Sequence, residues 1–310
     1  MIKEHIIIGE ESEWPLNGLL TIPEGDGPYP AVVLVHGSGG SDMNSSVFNV
    51  KPFKDFADGL TKRNIACIRY DKRTFTHGKR MLKKLGGDFS VWHETIEDAI
   101  LATNILKNDP RIDPNKVFIA GLSMGGMLAP RIDEEGGNYA GLIIMAGTPR
   151  RLEEVMKSQS EDFLNSASGI VKWIVKMQTK KLHPKFDKIY DLSDEKAKKK
   201  PIIGNHIKAF YLKDMGKRRV KEYLETSEKP ILVMQGEADF HVSVEKDFNE
   251  YQRILKNNPN ASFKLYPGLN HVFMPSVHGD IKKVKQEYSK PQNVADYVID
   301  DIAAWVHNQL

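Results

Sequence analysis

Along this chain, short apolar runs alternate with stretches in which apolar residues recur three and four positions apart. EHIIIGE and NGLLTIP read as an opening antiparallel pair of strands. They are followed by AVVLVHG (31–37), IACIRYD (65–71), VFIAGLS (117–123), GLIIMAG (141–147), ILVMQGE (231–237) and SFKLYPG (262–268). Four of these are unbroken Val/Ile/Leu-rich runs, the pattern of strands covered on both faces. Between them, Pro52–Arg63 and Thr95–Leu106 carry the helical period; Ile96, Ala99, Ile100, Thr103 and Leu106 make one stripe. The segment from Pro291 to the C-terminus has the same period and reads as a final helix. Strands alternating with helices predict an α/β fold with a mostly parallel, eight-stranded sheet flanked by helices.

One region breaks the rhythm. Residues 150–229 contain no convincing strand, and carry 20 Lys and Arg against 12 Asp and Glu. Their net charge of +8 leaves −5 for the rest of a chain whose total is +3. Phe163, Leu164, Ile170, Val171, Ile174 and Leu212 keep the region too apolar for disorder. The expectation is a helical, lysine-rich cap (150–229) inserted into a core formed by 1–149 and 230–310. The lysines fit a solvated helix face or a cap that favours anionic substrates. Trp173, Phe210, Tyr211 and Met215 are candidates for an acyl pocket, or for packing within the insertion.

Composition narrows the class. With 40% hydrophobic and 27% charged residues the chain is an ordinary globular protein, and +3 is too small a charge to argue for nucleic acid. Cys67, the single cysteine, lies in an apolar strand-like run, so no disulfide forms within the chain. The N-terminus has only three consecutive isoleucines, too few for a signal peptide, and no run approaches the roughly 20 residues of a membrane helix. The expectation is a cytoplasmic protein with neither a membrane nor a nucleic-acid partner. No feature specifies an oligomeric state.

The chemistry centres on FIAGLSMGG (118–126). A G-x-S-x-G pattern alone is weak, but Gly121-Leu122-Ser123-Met124-Gly125 follows an apolar run and precedes a helix-compatible stretch. Strand, sharp turn and helix are what a nucleophile elbow requires, with Gly121 and Gly125 removing side chains that would strike the adjoining strand and helix. HGSGG (36–40) supplies a second element. Backbone amides after that strand stabilise the oxyanion of acyl transfer, and those of Ser38 and Met124 are the candidates. His36 is assigned as an anchor of this loop rather than the base.

A serine needs a base, and the base an orienting acid, in the chain order Ser, Asp or Glu, His. Asp239, just beyond ILVMQGE, is favoured over Glu237; a site after the preceding strand offers no carboxylate before Glu153. His271, in YPGLNHVF, follows the last predicted strand and is favoured over His278, with His183, His206 and His241 less well placed. Arg69, Asp71, Lys72 and Arg73 in RYDKR either touch substrate or form a salt-bridge network. HExxH and P-loop patterns are absent, and the reaction calls for no metal or organic cofactor.

The stretches LVHGSGG, RYDKRTFTHG, IDPNKVFIAGLSMGGMLAPRI, GLIIMAGTPRRLEE, PILVMQGEADFHV and FKLYPGLNHVF resemble those of bacterial α/β-hydrolases, in the dienelactone-hydrolase-like esterase and serine-peptidase-like group. The resemblance covers most of the chain outside the insertion. It implies a Ser123–Asp239–His271 triad and a cap between the sixth and seventh sheet strands. Dienelactone hydrolases proper use a cysteine where Ser123 stands. Peptidase relatives carry a large extra domain or acidic subsites, and neither is evident in this sequence. The expected reaction is hydrolysis of a small-molecule carboxylic ester, such as an acetyl, feruloyl or cinnamoyl ester, through an acyl-enzyme. An amide or thioester would use the same triad; a ligand-binding protein on a hydrolase scaffold would keep the pocket without turnover.

Overall fold

The computed structural model describes residues 1–204 and 206–309. The apolar runs become strands β1 (Ile2–Ile8), β2 (Leu16–Ile22), β3 (Tyr29–Val35), β4 (Ala66–Tyr70), β5 (Ile112–Leu122) and β6 (Leu142–Met145). After the insertion, which holds β7 (Pro201–Ile203) and β8 (Ile207–Lys208), come β9 (Ile231–Gly236) and β10 (Ala261–Tyr266). The main sheet has eight strands in the order β1-β2-β4-β3-β5-β6-β9-β10. β1 pairs antiparallel with β2 and β2 with β4, while all later neighbours are parallel.

Successive residues of the central strands feed opposite cores, which is why these runs are continuously apolar. Val33, Val35, Ile119 and Ile144 join the core shared with helices Glu97–Asn108 and Met124–Ile132. Val32, Leu34, Phe118 and Ile143 join the one shared with Pro52–Thr61 and Asp296–His307. The register pairs Val35 with Gly121, Leu122 with Met145 and Gly236 with Tyr266. The parallel strands therefore end close to one line, and the loops that follow share one rim.

Between β6 and β9 lie helices Leu152–Ser166, Gly169–Asp187, Asp194–Lys199, Ala209–Met215 and Val220–Leu224. The expectation of no strand there is corrected: β7 and β8 form a two-stranded antiparallel ladder. Its apolar residues are few and bracketed by lysines, so periodicity concealed it. The final helix starts at Asp296, not near Pro291, because the amides of Val294 and Ala295 bond instead to Asp55 Oδ2 (3.1 Å) and the Phe273 carbonyl (3.1 Å). Among the described residues no helix is long and apolar enough to cross a membrane.

Candidate active site

Ser123 stands between β5 and helix Met124–Ile132 with φ 57° and ψ −115°, a conformation a side-chain-bearing residue adopts only under constraint. The constraint is backbone on every side. The Ser123 amide donates to the Met145 carbonyl (2.8 Å), and its carbonyl accepts from Met127 (3.0 Å). A Cβ at Gly121 would lie 2.2 Å from the Gly125 carbonyl oxygen, and one at Gly125 would lie 2.3 Å from that of Val35. Neither neighbour can yield without unmaking the turn. The helix that follows directs its N-terminus, with unpaired amides, at the serine.

The HGSGG loop leaves β3 beside this turn. Buried His36 donates from Nε2 to the Tyr70 carbonyl (2.6 Å) and stacks on Phe53, with ring centroids 4.7 Å apart. Burial pushes its pKa down to about 4, so it stays neutral. His36 thus fastens the loop to β4. The amides of Ser38 and Met124 have no acceptor among the described residues. Within RYDKR, Asp71, Lys72 and Arg73 form a network of hydrogen bonds and ion pairs. Lys72 Nζ donates to the Gly37 carbonyl (2.7 Å) and pairs with Glu94 (2.7 Å), both side chains being buried. Glu94 also accepts a hydrogen bond from Tyr211, whose hydroxyl lies 3.8 Å from Met124 Sδ. Arg73 pairs with Glu97 and Asp98, and Asp71 accepts from the Met43 amide (2.8 Å). Lys72 forms the salt bridge that was one of its two expected roles, while its partner Glu94 escaped the sequence reading.

At the far side of the rim, Asp239 Oδ1 accepts from the amides of His241 (2.7 Å) and Val242 (3.0 Å). Its Oδ2 lies 2.7 Å from His271 Nδ1, with the carboxylate fully buried. Nε2 of His271 is left without a partner among the described residues. The rival acid Glu237 is exposed, as are His278 and His206. His183 bonds to Ser160 (3.0 Å). The loop carrying His271 is pinned by Asn270, which sequence reasoning missed: its side chain accepts from the Val272 and Met274 amides and donates to buried Glu287 (3.1 Å). His241 sits 4.8 Å from His271, ring to ring, and burial followed by the His271 charge pushes its pKa down to about 4.

Ser123, Met124, Ser38 and His271 line one cavity of about 540 Å³. Its other wall is Leu152, Val155, Met156 and Gln159 from the first inserted helix, with Ile203 from β7. The four candidate pocket residues do not line this cavity, so the acyl-pocket alternative is corrected, whereas Phe210, Tyr211 and Met215 fit the packing alternative. Trp173 is 63% exposed on helix Gly169–Asp187, and Phe210 packs against the core beneath Lys198. Tyr211 stacks on Phe89, and Met215 lines a separate small cleft with Arg131 and Arg219. Apolar residues at helical spacing mark a buried face without saying what covers it. The apolar wall of this cavity comes mainly from the first inserted helix after β6.

A profile of the family described as serine aminopeptidase, S33, matches residues 27–275. The esterase EstD of Thermotoga maritima is 35% identical over 305 residues, covering 96% of this chain and 67% of that protein. Among solved structures, Est1E from Butyrivibrio proteoclasticus superposes with a TM-score of 0.60 at 15% identity, over 98% of both chains. The esterase domain of a Rhodothermus marinus protein gives 0.59 at 14% identity, over 99% of both.

Proposed function

Because this chain belongs to the serine aminopeptidase S33 family and has an α/β-hydrolase fold, we propose that it hydrolyses carboxylic esters of small molecules with Ser123 as nucleophile. His271 takes the Ser123 proton as the hydroxyl oxygen attacks the ester carbonyl. Asp239, bonded to Nδ1, holds the ring in the tautomer that leaves Nε2 free to accept it. The amides of Ser38 and Met124 receive the oxyanion. His271 then protonates the departing alcohol, and water attacks the acyl-enzyme with the same base.

The observation that carries this reading is the strained Ser123 turn opening onto the cavity lined by His271, whose ring is bonded to a buried carboxylate. The cavity lining favours an ester over an aminopeptidase substrate. None of its described residues is acidic, so nothing there would pair with a free α-ammonium group. The wall of Leu152, Val155, Met156 and Ile203 suits an uncharged acyl group. An organophosphonate ester is expected to modify the wild type at Ser123 and to leave Ser123→Ala unlabelled. The same substitution lowers kcat by roughly 10⁴-fold or more with melting unchanged. A protein that binds esters without turnover would not be labelled, and undiminished hydrolysis by Ser123→Ala would overturn the assignment.

A further inference from the structure

Helix Gly169–Asp187 is anchored at one end only. Towards its C-terminus Phe186 is buried in the core, while His183 bonds to Ser160 (3.0 Å) and Asp187 pairs with Lys157, tying it to helix Leu152–Ser166. Its first half is open to solvent yet apolar: Ile170 is 74% exposed, Val171 51%, Trp173 63%, Ile174 44% and Met177 40%. Positions 170, 173, 174 and 177 follow the helical period and make one outward stripe. An apolar stripe of this kind on a free surface marks a contact face.

The charges around it say what the contact is. Lys172, Lys176 and Lys180, spaced by four, run along one flank, and Lys181 and Lys185 continue the outward face beyond Met177. None of the five pairs with a carboxylate among the described residues, and the helix holds a single acid, Asp187. A second copy docking through the same face would set these lysines against themselves, because a two-fold interface brings identical patches together. The complement of this face is negative and accepts apolar side chains. We propose that helix Gly169–Asp187 docks flat on an anionic lipid surface, with the Ile170–Met177 stripe in the acyl boundary and the lysines at the headgroups. This departs from the expectation of no membrane partner, which rested on the lack of a spanning segment; a flat-lying helix needs none. Helix Leu152–Ser166, against which the docking helix packs, forms the acyl wall of the cavity, so docking would set that wall beside the lipid.

The full chain is mixed with vesicles of phosphatidylcholine containing about 30% phosphatidylglycerol and, separately, of phosphatidylcholine alone, at about 0.1 M salt. Cosedimentation with the anionic vesicles only is expected, together with a blue shift of tryptophan emission. Trp14 and Trp305 are buried and Trp92 half-buried, so the shift reports Trp173. Partitioning falls roughly 100-fold in the Lys172→Gln/Lys176→Gln/Lys180→Gln variant, from about fivefold per lysine. It falls roughly tenfold or more in Trp173→Ser/Ile174→Ser. These side chains are exposed, so unchanged melting curves certify both variants. Three results would overturn the proposal: no binding to either vesicle, equal binding to both, or a dimer in sedimentation velocity that Trp173→Ser/Ile174→Ser dissolves.

Discussion

At the sheet rim, nearly every group is held by backbone: Ser123 by Met145 and Met127, Asp239 by the amides of His241 and Val242, and His36 by Tyr70. Across the cavity, Leu152, Val155 and Met156 are held by nothing more directional than helix packing. Electrostatic catalysis needs donors that do not reorganise as charge develops, so the rim is built from short bonds and tight turns. Recognition of an apolar group needs area and shape, which many side chains supply equally well. Damage to the rim therefore costs turnover, and damage to the inserted helices costs selectivity.

The sharpest way to break that division is at Glu94, which links the two regions. It pairs with Lys72, whose ammonium donates to the Gly37 carbonyl, and accepts from Tyr211 on inserted helix Ala209–Met215. Glu94→Gln leaves the Lys72 charge buried without its partner, costing about 3 kcal/mol of stability. It also loosens the loop carrying the Ser38 amide, and kcat falls roughly 10- to 100-fold with KM little changed. In Lys72→Met/Glu94→Gln, part of the stability returns because no charge remains buried, while kcat stays low because the Gly37 carbonyl has lost its donor. Full recovery of kcat in the double variant would show that the pair serves stability alone.

These contrasts explain what could be read from the chain. The eight main strands were legible because both faces of the sheet are buried, and the turn at Ser123 because Gly121 and Gly125 leave no room for a Cβ. Asp239 and His271 followed from topology: residues just past the ends of parallel strands share a rim. The acyl wall was not legible, since Leu152 and Met156 look like any helix interior, and Tyr211 and Met215 were equally apolar candidates. Lys72 was legible as a salt-bridge candidate, but its partner Glu94 was silent in sequence, because a buried charge differs from a solvated one only in what surrounds it. The β7–β8 ladder was lost for want of period.

A smaller effect tests the rim through pH. The folded state holds His36 with its pKa down to about 4, against 6.5 for a free imidazole. Above pH 6.5 the ring is neutral folded and unfolded, and its contribution to stability is complete. Between 6.5 and 4 only the unfolded chain takes the proton, so stability is lost as pH falls, by about 3 kcal/mol in all. Below 4 both states are protonated and the loss levels off. His241, depressed in the same direction, adds to the slope. His36→Gln keeps a donor for the Tyr70 carbonyl without a titrating group. Its unfolding free energy is expected to decline less steeply over this window than that of the wild type, measured by urea titration at stepped pH. Identical slopes would place the acid sensitivity elsewhere.

The smallest effect lies in the acyl wall, where selectivity separates from turnover. Met156 is half-buried on helix Leu152–Ser166 and lines the cavity, so Met156→Ala removes apolar contact from a bound acyl chain without opening a closed core. A lost contact of one or two methylenes is worth about 1 kcal/mol, which raises KM for a medium-chain ester roughly fivefold. An acetyl ester, too short to reach across the cavity, keeps its KM, and kcat holds for both because the rim is untouched. Steady-state kinetics over a series of esters that differ only in acyl length reads the difference directly. Rim and wall are separate devices if the penalty grows with chain length; an equal penalty on the acetyl ester would mean that Met156 supports the catalytic groups themselves.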